Sequence, residues 1–329
     1  MKIAFYWAAS CGGCEIAVTE LAERIITVAE KVDFVFWPVA MDFKYKDVEA
    51  MPDKHIDLCL FNGGIRTSEH EEMARLLRAK SKIMCAFGAC AHLGGVPSLA
   101  NFFDREGIFR RAYIDSESTV NPSGTLPMTA FDAPEGTLDL PSFYDTVCSL
   151  DQVVEVDYYV PGCPPYVERI WEVLLAVLEG NLPPAGSVVG AGDKTCCDEC
   201  PRVKEEKKIN RFHRPHEIVP EPEKCLLEQG LLCMGPATRA GCEARCLSAD
   251  MPCRGCYGPP PGALDQGTKM LSAIASVIDS EDPDEINEIV SQIVDPAGSL
   301  YRFATAASLL RRARRPTVAA ADEVAAAAS

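Results

Sequence analysis

Sixteen cysteines in 329 residues, ten of them between Cys163 and Cys256, limit this chain more than any other feature. The sequence opens MKIAFYWAAS, with one basic residue, and runs straight into strand-like sequence, so neither a secretory nor a twin-arginine signal is visible. A cytoplasmic protein is therefore expected, and cytosolic thiols are kept reduced. Metal or redox chemistry then accounts for the cysteines better than a disulfide framework. Charge narrows the partners: 32 Lys+Arg against 48 Asp+Glu leave a net −16, and nucleic acid requires a basic face. No run of about 18 apolar residues exists, so no membrane span is expected.

The first 180 residues alternate between two periods. Residues 2–9, 33–40, 56–62, 82–87 and 153–160 read as short, mostly buried strands. Helical faces lie between them: Ile16, Val18, Leu21, Ile25, Ile26 and Val28 after the first strand, then Glu69–Lys80, then residues 166–178 after the last. This alternation predicts an α/β fold, a flavodoxin-like parallel sheet domain over residues 1–180 with helices on both faces. Residues 181–195 are rich in Pro and Gly and read as a linker. From Cys196 to Pro261 periodicity fades while cysteines, Pro and Gly accumulate. Such a segment buries little apolar surface alone, so 181–261 is expected to be a small cysteine-rich domain organised by metal. Helix returns in 262–329, with Asp282 as a cap, Pro283 at the first helical position and an apolar run of Ile286, Ile289, Val290 and Ile293. Arg311, Arg312, Arg314 and Arg315 read as a solvated helix end, and the Ala-rich stretch from Thr317 as a disordered tail.

In open α/β sheets, sites form outside the carboxyl ends of the strands. Four cysteines fall there. Cys11 and Cys14 (SCGGCE) follow the first strand, Cys90 (GACAHLGG) the fourth and Cys163 (PGCPPY) the fifth. Gly12, Gly13, Gly88, Gly94, Gly95 and Gly162 would let backbone approach an inorganic core. Four thiolates suit zinc or an iron–sulfur cluster, and a set drawn from three remote loops favours a cluster at an interface. Cys59, Cys85 and Cys148 read instead as buried small hydrophobes. The Gly63-Gly64 turn matches neither GxGxxG nor GxxxxGK[ST], so a nucleotide site has little support.

The later cysteines run Cys196-Cys197-x-x-Cys200-Pro-Arg, Cys225-x7-Cys233, Cys242-x3-Cys246 and Cys253-x-x-Cys256. Eight of these nine suffice for two four-iron clusters. A zinc ribbon would use Cys197, Cys200, Cys253 and Cys256 but leaves Cys225, Cys233, Cys242 and Cys246 idle.

The ordered set SCGGCE, GACAHLGGVPS, PGCPP, CDECPR, CLLEQGLLCMGPATRAGC and MPCRGCYGP, over about residues 1–261, closely resembles the small subunit of nickel–iron hydrogenases. The CLLEQG…CMGPATR…GC block is similar to the gamma subunit of the cytoplasmic methyl-viologen-reducing, deazaflavin-non-reducing type. The resemblance implies three 4Fe-4S clusters relaying electrons from dihydrogen oxidation. Cys11, Cys14, Cys90 and Cys163 match proximal ligands. Cys242, Cys253 and Cys256 match medial ligands, with Cys246 as the fourth, and Cys197, Cys200, Cys225 and Cys233 match distal ones. Cys196 is a spare that could compete with Cys197. The nickel–iron centre is implied on a partner large subunit, with a delta-type iron–sulfur subunit and heterodisulfide reductase downstream, in methanogenesis. Glu15 beside Cys14 could relay protons, although a carboxylate opening a helix is favoured there anyway. Rival readings are a deazaflavin-reducing hydrogenase gamma subunit, a complex I-type quinone reductase subunit, which lacks use for the eight C-terminal cysteines, and a non-catalytic zinc or interaction protein.

Overall fold

A computed structural model describes residues 1–205 and 208–310. Five strands, β1 (Lys2–Trp7), β2 (Asp33–Phe36), β3 (Ile56–Asn62), β4 (Ser81–Phe87) and β5 (Tyr158–Val160), form one parallel sheet in the order β2-β1-β3-β4-β5. This is the flavodoxin order, which a single sequence does not disclose. The period of two along each strand divides the residues between two cores. Ile3, Phe5, Leu58, Leu60, Cys85 and Phe87 face one side, against Ile170, Val173 and Leu174 of the helix Val167–Glu179. Ala4, Tyr6, Cys59, Phe61, Met84 and Ala86 face the other, against Met73, Ala74 and Leu77 of the helix Ser68–Lys80. The strand cysteines Cys59 and Cys85 are thus packing groups in opposite cores, and burial pushes the Cys59 thiol up to about 12.

Three elements depart from the sequence expectations. The apolar face over residues 16–28 is split into the helices Gly13–Thr19 and Arg24–Ala29, because Ala22 takes a left-handed conformation (φ 50°) that no helix continues through. The last strand is shorter than expected. The turn Leu150–Gln152 draws in the front of the run, since the Val153 and Val154 N–H groups both donate to Leu150 O at 3.0 Å. Asp157 then accepts from the Met84 N–H at 2.7 Å. Residues 105–148 hold elements that the periodicity did not announce: the helix Arg105–Tyr113, an exposed hairpin (Ala130–Ala133 with Gly136–Asp139), and Phe143–Cys148 antiparallel to Ile65–Thr67. Few of their residues are buried, so they carry little apolar signal. Part of the 181–195 segment is ordered along the sheet, with Val189 N–H donating to Tyr159 O at 2.8 Å.

The cysteine-rich stretch and the C-terminal helices share one core. Leu226, Leu231, Met234 and Leu247 pack with Met270 and Ile274 of the helix Gln266–Ala275 and Ile289 of the helix Pro283–Ser291. Asp265 and Asp282 cap these helices, the second as its sequence context predicts. The chain then returns to the sheet domain: Gly95 N–H donates to Phe303 O at 3.1 Å, and Gln152 Nε2 to Ala306 O at 2.8 Å. The Arg311–Arg315 cluster and the Ala-rich tail lie outside the described residues.

Met270 is fully buried in this shared core, whereas Val219 is almost wholly exposed. Met270→Ala is expected to cost about 2–5 kcal/mol, and Val219→Ala less than about 0.5 kcal/mol. Anaerobic thermal unfolding followed by circular dichroism checks the contrast.

Candidate metal centres

The cysteines are not joined in disulfides. Twelve of them gather in three sets.

The first set stands at the carboxyl edge of β1, β4 and β5. Gly12 (φ 77°) turns the chain beneath the Trp7 ring and opens the helix Gly13–Thr19, leaving Cys11 exposed and Cys14 buried in the first turn. Cys90 lies in the short helix Ala89–Leu93, and Cys163 follows β5. Two bonds hold these loops together, Gly88 N–H to Val160 O at 2.8 Å and Ala89 N–H to Gly162 O at 2.7 Å. Two glycines make the cradle: a Cβ at Gly88 would lie 2.3 Å from Cys14 Sγ, and one at Gly95 would lie 2.5 Å from Cys90 Sγ. Burial first, then the Cys90, Cys163 and Cys11 thiols, drive Cys14 well above its ordinary value; burial and the Cys163 and Cys11 thiols raise Cys90 to about 12. Four thiols this close do not ionise together unless cationic metal replaces their protons.

The second set, Cys197, Cys200, Cys225 and Cys233, lines one cavity of ≈ 300 Å³ walled by Leu226, Leu227, Leu247 and Val277. Thr195 and Asp198 cap the turn that carries Cys197 and Cys200, with Thr195 N–H to Asp198 Oδ2 at 3.0 Å. Cys225 N–H donates to Val203 O at 2.8 Å. Buried Arg202, next after Cys200-Pro201, ties the surrounding loops by donating to Leu247 O, Glu221 O and Lys224 O and by pairing with Asp250. A Cβ at Gly235 would lie 3.0 Å from Cys197 Sγ.

The third set, Cys242, Cys246, Cys253 and Cys256, lines a cavity of ≈ 350 Å³ that Cys163 and Cys196 also border. Backbone N–H groups donate to two of the sulfurs, Gly13 N–H to Cys11 Sγ and Cys253 N–H to Cys233 Sγ, each at 3.4 Å. Cys246 is exposed, on the short helix Arg245–Ser248. Among the described residues, no group of three or more His, Cys, Asp or Glu is set to hold a single metal ion. The thiols of the second and third sets line cavities instead.

Cys196 does not stand beside Cys197. It is buried on the third cavity while Cys197 faces the second. Neighbouring residues on a helical turn diverge by roughly 100°, so the Cys-Cys doublet itself carried this signal. Cys148 is fully buried, as Cys59 and Cys85 are. Glu15 is buried too, and burial raises its carboxyl above the ordinary range. The Gly63-Gly64 turn is a close backbone crossing, since a Cβ at Gly63 would lie 2.7 Å from the Ala8 carbonyl carbon and Gly64 N–H donates to Ala9 O at 3.0 Å.

This combination of flavodoxin-order sheet and thiol-lined edge has known relatives. The model of the family described as NADH ubiquinone oxidoreductase, 20 Kd subunit, matches residues 11–177. The F420-non-reducing hydrogenase iron-sulfur subunit of Archaeoglobus profundus is 41% identical over 318 residues, covering 95% of this chain and 98% of the relative. An F420-non-reducing hydrogenase subunit of Methanothermobacter thermautotrophicus is 37% identical over 315 residues, covering 94% and 96%. A chain of a solved NAD+-reducing NiFe-hydrogenase is 31% identical, covers 56% of this chain and 93% of that chain, and superposes with a TM-score of 0.48. The chain belongs to the 20 Kd subunit family, and these near-full-length relatives are subunits of F420-non-reducing hydrogenases.

Gly88 and Gly180 both have positive φ, but nothing lies within 4 Å of a Cβ at Gly180. Gly180→Ala therefore tests backbone strain alone, about 1–2 kcal/mol. Gly88→Ala adds the collision with Cys14 Sγ. Metal analysis of the purified protein should show Gly88→Ala losing part of its metal and Gly180→Ala losing none.

Proposed function

We propose that this chain is the electron-relay subunit of a nickel–iron hydrogenase complex. In this reading Cys11, Cys14, Cys90 and Cys163 hold a proximal cluster. Cys242, Cys246, Cys253 and Cys256 hold a medial one, and Cys197, Cys200, Cys225 and Cys233 a distal one. The observation that carries it is the linkage between the three thiol sets. Cys163 belongs to the first set and also lines the cavity of the third. Cys253 N–H lies 3.4 Å from Cys233 Sγ, and Met234 N–H donates to Cys253 O at 2.9 Å, joining the third set to the second. When bound, three 4Fe-4S clusters would accept and pass on electrons one at a time. The chain's own residues exclude water with the apolar walls, aim N–H donors at the sulfurs, and so set how easily each site takes charge.

The rim beside Cys11 exposes Trp7, Ile16 and Val96, an apolar surface suited to a large subunit carrying the nickel–iron centre. A delta-type iron–sulfur subunit and heterodisulfide reductase are the proposed onward acceptors, in the cytoplasm, as the resemblance carried by the CLLEQG…CMGPATR…GC block implies. No helix among the described residues is long and apolar enough to cross a membrane. A quinone reductase subunit of the complex I type remains the weaker reading, because the matched family segment ends at residue 177, before nine of the cysteines.

Anaerobically purified complex should contain about twelve iron and twelve acid-labile sulfide atoms per chain, four per cluster, with a nickel-bearing partner in equal amount. Iron without sulfide, or zinc, would sink the reading. Cys90→Ser or Cys163→Ser should abolish dihydrogen-dependent dye reduction, since hydroxyl is the poorer ligand for iron, while Cys85→Ser, at matched folding, should keep most of it. Cys246→Pro should produce a three-iron electron paramagnetic resonance signal in the oxidised protein; an unchanged spectrum would remove Cys246 from the medial set.

A further inference from the structure

One cavity belongs to none of the three thiol sets, although Cys253 touches its wall. It measures ≈ 340 Å³ and lies where three segments meet: residues 212–216, the loop through Cys253 and Arg254, and the C-terminal stretch 292–302. Its walls are tied together. His213 N–H donates to Gly230 O at 2.8 Å, Phe212 N–H to Gln292 Oε1 at 2.9 Å, and Met234 N–H to Cys253 O at 2.9 Å. Gly230 (φ 75°) permits the first crossing, since a Cβ there would lie 2.3 Å from Arg211 O.

Charge sets this cavity apart. Arg214, Arg254, Arg302, His213 and His216 line it and no Asp or Glu does, in a chain with 48 Asp+Glu against 32 Lys+Arg. Among the described residues, the three guanidinium groups have neither a hydrogen-bond acceptor nor an ion-pair partner. Neighbouring carboxylates are engaged elsewhere. Glu217 Oε2 accepts from Arg214 N–H at 2.9 Å, Asp295 Oδ1 accepts from Gly298 N–H at 3.0 Å, and Asp250 pairs with Arg202. Cations gathered in a concavity repel one another, and an anion held between them turns that repulsion into attraction.

Guanidinium groups entering from three segments suit a tetrahedral oxyanion, which offers acceptor oxygens in several directions. A planar carboxylate is filled by one bidentate fork. Phe212, Leu232 and Ile293 add an apolar wall. Small-molecule sites run from about 300 to 1,000 Å³, so the cavity has room for a phosphate and a small organic group attached to it. We propose that this cavity binds a phosphate group, free or esterified to a small organic molecule, with Arg254 and Arg302 as its anchors and the exposed Arg214 closing the outer side. None of these arginines belongs to a thiol set, so phosphate binding here stands whether or not the cluster assignment does.

Isothermal titration calorimetry of the anaerobically purified complex with inorganic phosphate, AMP and adenosine tests the site. Phosphate and AMP should bind saturably and adenosine should not. Combining Arg254→Gln with Arg302→Gln should weaken both by about tenfold or more, because hydrogen bonds from charged groups are lost. Combining Arg110→Gln with Arg111→Gln, on the exposed helix Arg105–Tyr113, should leave binding unchanged. If the Arg254 and Arg302 variant does not fold, Ser299→Asp, which puts a carboxylate on the same wall, must abolish binding in its stead. AMP binding more tightly than phosphate would identify an ester as the occupant, and the reverse or equality the free ion; either upholds a phosphate site. No saturable binding of phosphate or AMP, or adenosine binding as tightly as AMP, would overturn it. So would affinities that the cavity substitutions leave unchanged, or an equal loss in the Arg110 and Arg111 variant, because surface charge alone would then be the cause.

Discussion

Burying thiols inside one another's field is the constraint on which the rest of this structure depends. Cys14, Cys90 and Cys163 each have their ionisation opposed by burial and by neighbouring thiols. Protonated, they make a poorly bonded cluster of weak donors; deprotonated, they repel. In the proposed reading, metal would resolve the conflict by supplying positive charge where the protons were. The parallel sheet is what forces the approach, because it delivers the loops after β1, β4 and β5 to one edge, and the bonds between Gly88, Ala89, Val160 and Gly162 keep them there.

The C-terminal half solves a different problem. Residues 196–261 alternate cysteines with Pro and Gly and hold too few apolar side chains for a core of their own. Met270, Ile274, Ile289 and Leu300 supply the missing part, so the helices after residue 262 form the far wall of the cysteine-rich layer rather than an appendage. Arg202 performs the polar counterpart, satisfying three carbonyls from two segments, 221–224 and Leu247, with one buried guanidinium. Such an arrangement is rigid where electron transfer requires it, since fixed sulfurs and fixed N–H donors reorganise little when charge arrives.

Glycine matters here through space rather than flexibility. At Gly88, Gly95 and Gly235 the position of a Cβ would be taken, or nearly taken, by a cysteine sulfur. Each glycine therefore brings backbone against the thiol set, where N–H dipoles can act on sulfur. Gly180, at a helix end with open space around it, is by contrast an ordinary left-handed cap.

The sequence by itself determined the class of the sheet domain, because the period of two in residues such as Ile3–Tyr6 and Leu58–Phe61 permits burial on both faces and little else. It also determined the grouping of chemistry by residue type: the loop cysteines stand at strand ends, while Cys59 and Cys85 stand inside strands as packing groups. Local caps such as Asp282 were legible because they depend on neighbours a few residues away. Tertiary structure alone decided the strand order, the break at Ala22, the exposed elements of residues 105–148, and the union of the C-terminal helices with the cysteine-rich core. It also decided on which side Cys196 falls. These depend on contacts between segments tens to hundreds of residues apart, and a thiol's partners are set by which loops the folded chain brings within reach of its sulfur.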